Sequence, residues 1–280
     1  MSTIMMLLKR IPRSLTTSGL HDTIDPVKTT GTLRQFRHFD LEGKVYVVTG
    51  GGRGLGLSMA EILAEAGGRV YGLDILKEPD KGFTRARQSH ALQGSLHYRQ
   101  LDVRNVDDID KAMCSIASGR NRLDGIIAAA GIPQVGDALQ QDMKAAHHAM
   151  EINFFGVSTQ PWPLQSKSNK GMLSSVYNSS KAAVVQLGRN LAMEWGKVDE
   201  NGGGGIRVNC LCPGHILTPM VQQTLQMSGS DSQAIWEGEN MLGRLATPEE
   251  FRGVALFLLS DASSFMTGST LVIDGGHSAW

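Results

Sequence analysis

A glycine-rich turn set between a strand and a helix limits this chain to few folds. Val45–Val48 is a short apolar, mostly β-branched run that passes into Thr49, Gly50, Gly51, Gly52, Arg53, Gly54, Leu55 and Gly56, after which Leu57–Ala66 follows helical spacing. Glycines in such a turn let the backbone bend sharply and approach an anion closely. The helix behind it directs unpaired N–H groups and the positive end of its dipole at the same point. A glycine-rich loop alone is a weak sign; flanked by a strand and a helix, it predicts a pyrophosphate cradle.

The alternation continues along the chain. Val70–Leu73 reads as a second strand, Leu101–Val103 ends a third that includes His97 and Tyr98, and Gly125–Ala130 is a fourth. Further on, Ser179–Glu194 has the pattern of a long helix, Ile206–Cys210 of a strand, Glu249–Ser260 of a helix and Leu271–Ile273 of a last strand, with Gly202–Gly205 as a loop. Strands alternating with helices predict a parallel sheet with right-handed crossovers. The fold class is therefore α/β, a Rossmann-like doubly wound sheet in a single dinucleotide-binding domain over residues 39–280. Residues 1–38 lack this pattern. Up to Leu20 they carry Lys9, Arg10 and Arg13 with several Ser and Thr and no acid. That composition fits a disordered extension or a mitochondrial targeting segment.

Charge narrows the partners. The 27 Lys and Arg are balanced by 27 Asp and Glu, which argues against an electrostatic nucleic-acid binder or a polybasic membrane-surface protein. No apolar run approaches the ~18 residues of a membrane span. Cys114, Cys210 and Cys212 are too few for a disulfide framework and have no neighbouring metal partners. They are expected to be buried thiols in a reducing compartment, the cytoplasm, with the mitochondrion as the alternative; no metal site is expected.

Asp74 ends the second strand, where an acid accepts hydrogen bonds from the adenosine ribose hydroxyls of NAD and repels the 2′-phosphate of NADP. Arg53 bears the opposite charge beside that ribose and is able to bind the phosphate, so NAD is the expected cofactor and NADP the alternative. Further on, Tyr177 and Lys181 are four residues apart on a helix, which puts phenol and ammonium on one face. A free tyrosine has a pKa of ~10. A nearby Lys⁺ favours its phenolate, which makes the pair a general acid/base near neutral pH.

Together these motifs resemble the short-chain dehydrogenase/reductase family. The family's glycine motif matches Thr49–Gly56, its Asp-Val matches Asp102 and Val103, its Tyr-x-x-x-Lys matches Tyr177 and Lys181, and its helix Asn matches Asn153. Its Pro-Gly stretch matches Pro213, Gly214, Ile216 and Thr218, and its terminal Asp-Gly-Gly matches Asp274–Gly276. Where the family usually has Asn-Asn-Ala-Gly, this chain has Ala128, Ala129, Ala130 and Gly131. The resemblance implies hydride transfer between a secondary alcohol or ketone and a nicotinamide. Tyr177 would exchange the proton, Lys181 would lower its pKa and hold the ribose, and Asn153 would position a relaying water. Gly50, Arg53, Gly54, Leu55, Gly56, Asp74, Asp102, Val103, Ala130, Gly131, Ile216 and Thr218 would bind the cofactor. Tyr177–Val184 and Gly188–Trp195 most resemble fungal polyol/ketose dehydrogenases, including the arabinitol 2-dehydrogenase and sorbose reductase group. A polyol or ketose is thus the expected substrate; a larger ketone, or a nucleotide-binding scaffold of low activity, are the alternatives. Self-association to a homo-oligomer is implied by the family.

One part of the pattern is broken. Only the 23 residues 154–176 separate Asn153 from Tyr177, and they must finish a helix, supply a central fifth strand and return. An average helix, a strand of ~5 residues and two connections need roughly 15 more. Pro161 and Pro163 stop a helix, and Gln160–Ser175 has no β-branched apolar run. The fifth strand is therefore expected to be missing or irregular, with Gln160–Asn169 pairing irregularly or the sheet rearranged. The Ser that the family carries about a dozen residues before its Tyr is also displaced, leaving Ser166 as the candidate.

Overall fold

The computed structural model describes residues 4–8, 36–119, 122–157, 174–200, 203–228 and 231–279. Seven strands share one sheet: β1 (Ile4–Leu8), β2 (Val45–Thr49), β3 (Arg69–Asp74), β4 (Ser95–Gln100), β5 (Gly125–Ala128), β6 (Arg207–Pro213) and β7 (Thr270–Ile273). The helices are α1 (Gly54–Glu65), α2 (Lys81–Arg87), α3 (Val106–Ser118), α4 (Met143–Met150), α5 (Ser175–Trp195), α6 (Pro219–Ser228), α7 (Asp231–Glu239) and α8 (Arg252–Leu259). The strand order is β4-β3-β2-β5-β1-β6-β7. Every pairing is parallel except the two made by β1.

The alternation of β2 explains the layers. Val45 and Val47 pack on one face with Ala112 and Ile116 of α3, while Tyr46 and Val48 pack on the other with α1 and with Ala255, Leu258 and Leu259 of α8. A strand buried on both faces reads as a continuous apolar run, as parallel sheets require. On the face of α3, α5 adds Val184, Leu187 and Ala192 against Phe154 and Val208. The C-terminal end of α8 is tied to the sheet by Arg207, whose buried guanidinium donates to the carbonyls of Leu258 at 2.9 Å and Ser260 at 3.2 Å. A cation there satisfies carbonyls that the helix end leaves unpaired.

The place in the sheet expected of the fifth strand is filled by β1. Ile4–Leu8 lies between β5 and β6, with Met5 opposite Ala128 and Leu8 opposite Gly125 on one side, and Ile4 opposite Leu211 and Leu8 opposite Arg207 on the other. These five residues belong to the N-terminal segment set apart from the α/β pattern as an extension; their pairing places them in the sheet. The physical reason is the slot itself. Two central strands with unpaired N–H and C=O groups would lose about 1 to 3 kcal/mol per buried group, so any segment able to reach the slot is drawn into it. The right-handed crossover rule applies to parallel strands joined through the sheet, and a strand arriving from the N-terminus is free of it. The alternative strand, Gln160–Asn169, lies outside the described residues, as does the rest of the extension up to residue 35.

One cysteine expectation also needs correction. Cys210 and Cys212 are buried, but Cys114 is exposed. The buried stripe of α3 runs through Ala112 and Ile116, and position 114 falls on its outer face.

Candidate active site

The C-terminal ends of β2, β3, β5 and β6 open onto a cleft of about 410 Å³. The glycine-rich turn forms one wall. A Cβ on Gly50 would lie 2.9 Å from Ala130 Cα, one on Gly56 would lie 2.2 Å from the Gly50 carbonyl oxygen, and one on Gly52 would lie 2.9 Å from the Asp74 carboxylate. Only glycine permits this stacking of backbone on backbone, and Gly50 and Gly54 also hold positive φ of 68° and 56°. Arg53 is the extended residue before α1, with its side chain exposed at the rim, and Leu55 is half-buried in the first turn. α1 begins at Gly54, so its N-terminus faces the cleft. This cradle fits a pyrophosphate, because side chains are absent where an anion would approach.

Asp74 is buried where β3 meets the cleft. One carboxylate oxygen accepts from the Gly52 amide at 3.0 Å and the other from the Leu76 amide at 3.3 Å. Each oxygen keeps a lone pair for a ribose hydroxyl. Asp102 and Val103 line the cleft further along. The Asp102 carboxylate accepts from Arg104 Nη2 at 2.5 Å and Nε at 3.0 Å, and those bonds hold its carboxyl below the usual carboxylate range.

The Tyr177 and Lys181 pair is assembled as the spacing predicts. Lys181 Nζ lies 5.8 Å from the Tyr177 ring centroid, Tyr177 lines the cleft, and Lys181 is 3% exposed. Burial lowers the Lys181 ammonium to about 8. It is thus still mostly charged at pH 7, by about ten to one. Gly131 makes room for it: a Cβ there would sit 3.2 Å from Lys181 Nζ and 3.1 Å from Asn153 Oδ1. Ala130 is fixed by its own amide, which donates to Thr49 Oγ1 at 3.4 Å.

Asn153 is fully buried in a π-turn, Glu151–Phe155, that continues α4. Its Oδ1 accepts from the Ile132 amide at 2.8 Å, and its Nδ2 donates to the Ile132 carbonyl at 3.0 Å and to Ser180 Oγ at 3.3 Å. Ser180 Oγ donates in turn to the Tyr177 carbonyl at 2.7 Å. The side chain therefore joins the β5 exit to the helix of Tyr177. π-turns of this kind cluster at functional sites.

The opposite wall is the segment after β6. Gly214 is obligatory, since a Cβ would lie 2.7 Å from Asp274 Cα. Ile216 is buried, and Thr218 Oγ1 accepts from the Val221 amide at 3.3 Å to start α6. Thr218 faces the glycine turn across the cleft, 3.9 Å from where a Gly54 Cβ would be. Ser166 lies outside the described residues.

No sequence pattern singles out Ser174, Ser180, Gln134, His215 or Trp236. Ser174, buried directly before α5, lines the cleft three residues from Tyr177. His215 stood inside the Pro-Gly motif, and only its flanks were read. Trp236 and Gln134 carry no spacing signal, because they reach the cleft from separate elements. Among the described residues no helix is long and apolar enough to cross a membrane, and no His, Cys, Asp and Glu group is placed to hold a metal ion.

Residues 44–160 match the short chain dehydrogenase family model, and residues 165–278 match the model described as enoyl-(acyl carrier protein) reductase. The "short chain dehydrogenases/reductase notP'" of Aspergillus versicolor is 34% identical over 269 residues, covering 86% of this chain and 89% of that protein. A galactitol 2-dehydrogenase of Rhizobium johnstonii is 34% identical over 266 residues, covering 86% of this chain and 98% of that protein. The crystal structure of the NADPH-dependent 3-quinuclidinone reductase of Rhodotorula rubra superposes with a TM-score of 0.73 at 27% identity, over 91% of this chain and all of that one. The chain belongs to the short-chain dehydrogenase/reductase family. It is an oxidoreductase of alcohols and ketones, in a family that uses NAD(P).

Proposed function

We propose that the protein interconverts a secondary alcohol and a ketone with NAD as cofactor, the substrate being small and of the polyol or ketose class. The observation that carries this reading is the convergence of Tyr177, Gly131 and the glycine turn on one cleft, with the Lys181 ammonium buried directly behind Gly131 and Tyr177. When bound, the nicotinamide supplies or accepts the hydride. Gly50, Gly54, Gly56 and the N-terminus of α1 would hold the cofactor's pyrophosphate, Asp74 would take the adenosine ribose, and Ala130, Gly131, Ile216 and Thr218 would line the nicotinamide end.

In reduction the Tyr177 hydroxyl gives its proton to the carbonyl oxygen; in oxidation the Tyr177 phenolate takes the proton of the alcohol. The Lys181 charge favours the phenolate, and burial strengthens that interaction because water screens it less. Asn153 and Ser180 act as positioning residues that fix the Tyr177 turn of α5 against the β5 exit. NAD is favoured over NADP because the Asp74 carboxylate is fixed by two backbone amides at the ribose position, where it would repel a 2′-phosphate. Support for a small, polar substrate comes from the 34% identical galactitol 2-dehydrogenase and from a cleft of about 410 Å³ shared by substrate and cofactor.

The test is steady-state turnover followed at 340 nm with a panel of polyols and ketones. Wild type should turn over at least one of them, and Tyr177→Phe should lose about 10²- to 10⁴-fold in kcat, the range of a general acid/base, while NADH still raises its melting temperature. Stabilisation by NADH without any turnover in wild type would leave a nucleotide-binding scaffold in place of the enzyme.

A further inference from the structure

Three polar side chains line the same cleft as Tyr177 and share one property. Gln134 lies in the segment after β5, His215 in the segment after β6, and Trp236 on α7. Each is more than nine-tenths buried, at 7%, 8% and 1% exposure. Each also carries a buried polar atom with no hydrogen-bond partner among the described residues: Gln134 Oε1, His215 Nε2 and Trp236 Nε1. Buried polar groups in native proteins are nearly always paired, so unpaired ones on the wall of a binding cleft point to a ligand that completes them.

The arrangement is rigid. The His215 and Trp236 rings stack at 4.3 Å between centroids with planes 3° apart, and the His277 ring meets His215 edge-on at 5.3 Å. Burial drives the His215 imidazole far down, to about 3. It is neutral at physiological pH, with one ring nitrogen donating and the other accepting. The Trp236 indole only donates, and the Gln134 carbonyl oxygen only accepts. Hydroxyl groups both donate and accept, so the hydroxyls of one ligand match an acceptor such as Gln134 Oε1 and a donor such as Trp236 Nε1–H alike. A simple ketone or a hydrocarbon would leave these atoms unpaired.

We propose that Gln134, His215 and Trp236 form a subsite for the further hydroxyl groups of a polyhydroxylated alcohol or ketose whose reacting carbon lies at Tyr177. The assignment rests on the dehydrogenase reading above and adds which residues select the substrate. A site built to hydrogen-bond hydroxyls rejects an analogue lacking them far more strongly than an apolar pocket rejects an added one.

The test compares galactitol with 2-hexanol, secondary alcohols of equal chain length, as substrates with NAD⁺. Wild type should favour galactitol by at least about 100-fold in kcat/KM. Trp236→Phe, which keeps the ring stack and removes the donor, and Gln134→Leu, which removes the acceptor, should each lower the galactitol to 2-hexanol ratio by about tenfold or more. Equal or better use of 2-hexanol by wild type, or an unchanged ratio in both variants, overturns the proposal. Melting curves establish that each variant is folded, and either folded variant suffices. If neither alcohol is turned over, calorimetric titration of galactitol into the NAD⁺-loaded enzyme decides. Binding that weakens in Trp236→Phe upholds the subsite and removes galactitol as the alcohol oxidised, whereas no binding in wild type removes the subsite.

Discussion

The two halves of this sheet are built in different ways. The β4-β3-β2 half, which forms the nucleotide cradle, uses strands joined in sequence by α1 and α2, and its glycine turn packs against the end of β3 and the Ala129–Ala130 backbone. The β5-β1-β6-β7 half, beside the catalytic pair, relies on five residues from the N-terminus to join β5 to β6. Where the chemistry needs contiguous residues, the chain keeps them contiguous. Where the sheet needs only backbone pairing, a strand of another origin and the opposite direction serves, because the ladder reads N–H and C=O groups and not sequence.

The largest expected effect follows from that dependence. Deleting residues 1–8 exposes the facing edges of β5 and β6 inside the core. At about 1 to 3 kcal/mol for each buried unpaired group, the loss is comparable with the whole ~5 to 15 kcal/mol stability of a domain. Thermal melting followed by circular dichroism should lose its cooperative transition; an unchanged melting temperature would make β1 dispensable.

A smaller effect is expected in the nucleotide half. Asp74→Ala removes the carboxylate that repels a 2′-phosphate, and the ratio of kcat/KM for NADPH to that for NADH should rise roughly 10- to 100-fold. Tighter NADPH binding already in wild type would transfer the ribose role from Asp74 to Arg53.

The smallest effect belongs to Lys181. Its folded-state pKa, about 8, lies below the ordinary 10.5 of lysine, so between those values the unfolded chain binds more protons than the folded one. The contribution of this site to stability therefore rises with pH across that window. Urea unfolding without cofactor should show wild type gaining about 1 to 3 kcal/mol between pH 8 and 10.5 relative to Lys181→Met. A parallel pH dependence in the two proteins would mean that the ammonium is well solvated.

Legibility in the sequence follows the same division. The glycine turn, Asp74 and the Tyr177–Lys181 pair were readable because each is a local pattern imposed by one strand, one turn or one helical period. The want of room for a fifth strand was readable as well, since only 23 residues separate Asn153 from Tyr177. Its replacement was not: Ile4–Leu8 lies in a basic, serine-bearing segment, and strand pairing across the chain leaves no mark on spacing. Gln134, His215 and Trp236 were hidden for a related reason, since they come from three elements that only the fold brings together. Asn153 was read as a site residue, but its engagement with Ile132 and Ser180 became visible only once β5 and α5 were in place.

Amide hydrogen exchange of the full-length protein tests most directly whether the N-terminal strand completes the sheet. If it does, the amides of Ile4–Leu8 exchange slowly, at rates close to those of the β5 and β6 amides they pair with, as members of one cooperative unit. Exchange of Ile4–Leu8 at the rate of an unstructured peptide, with β5 and β6 still protected, would contradict it.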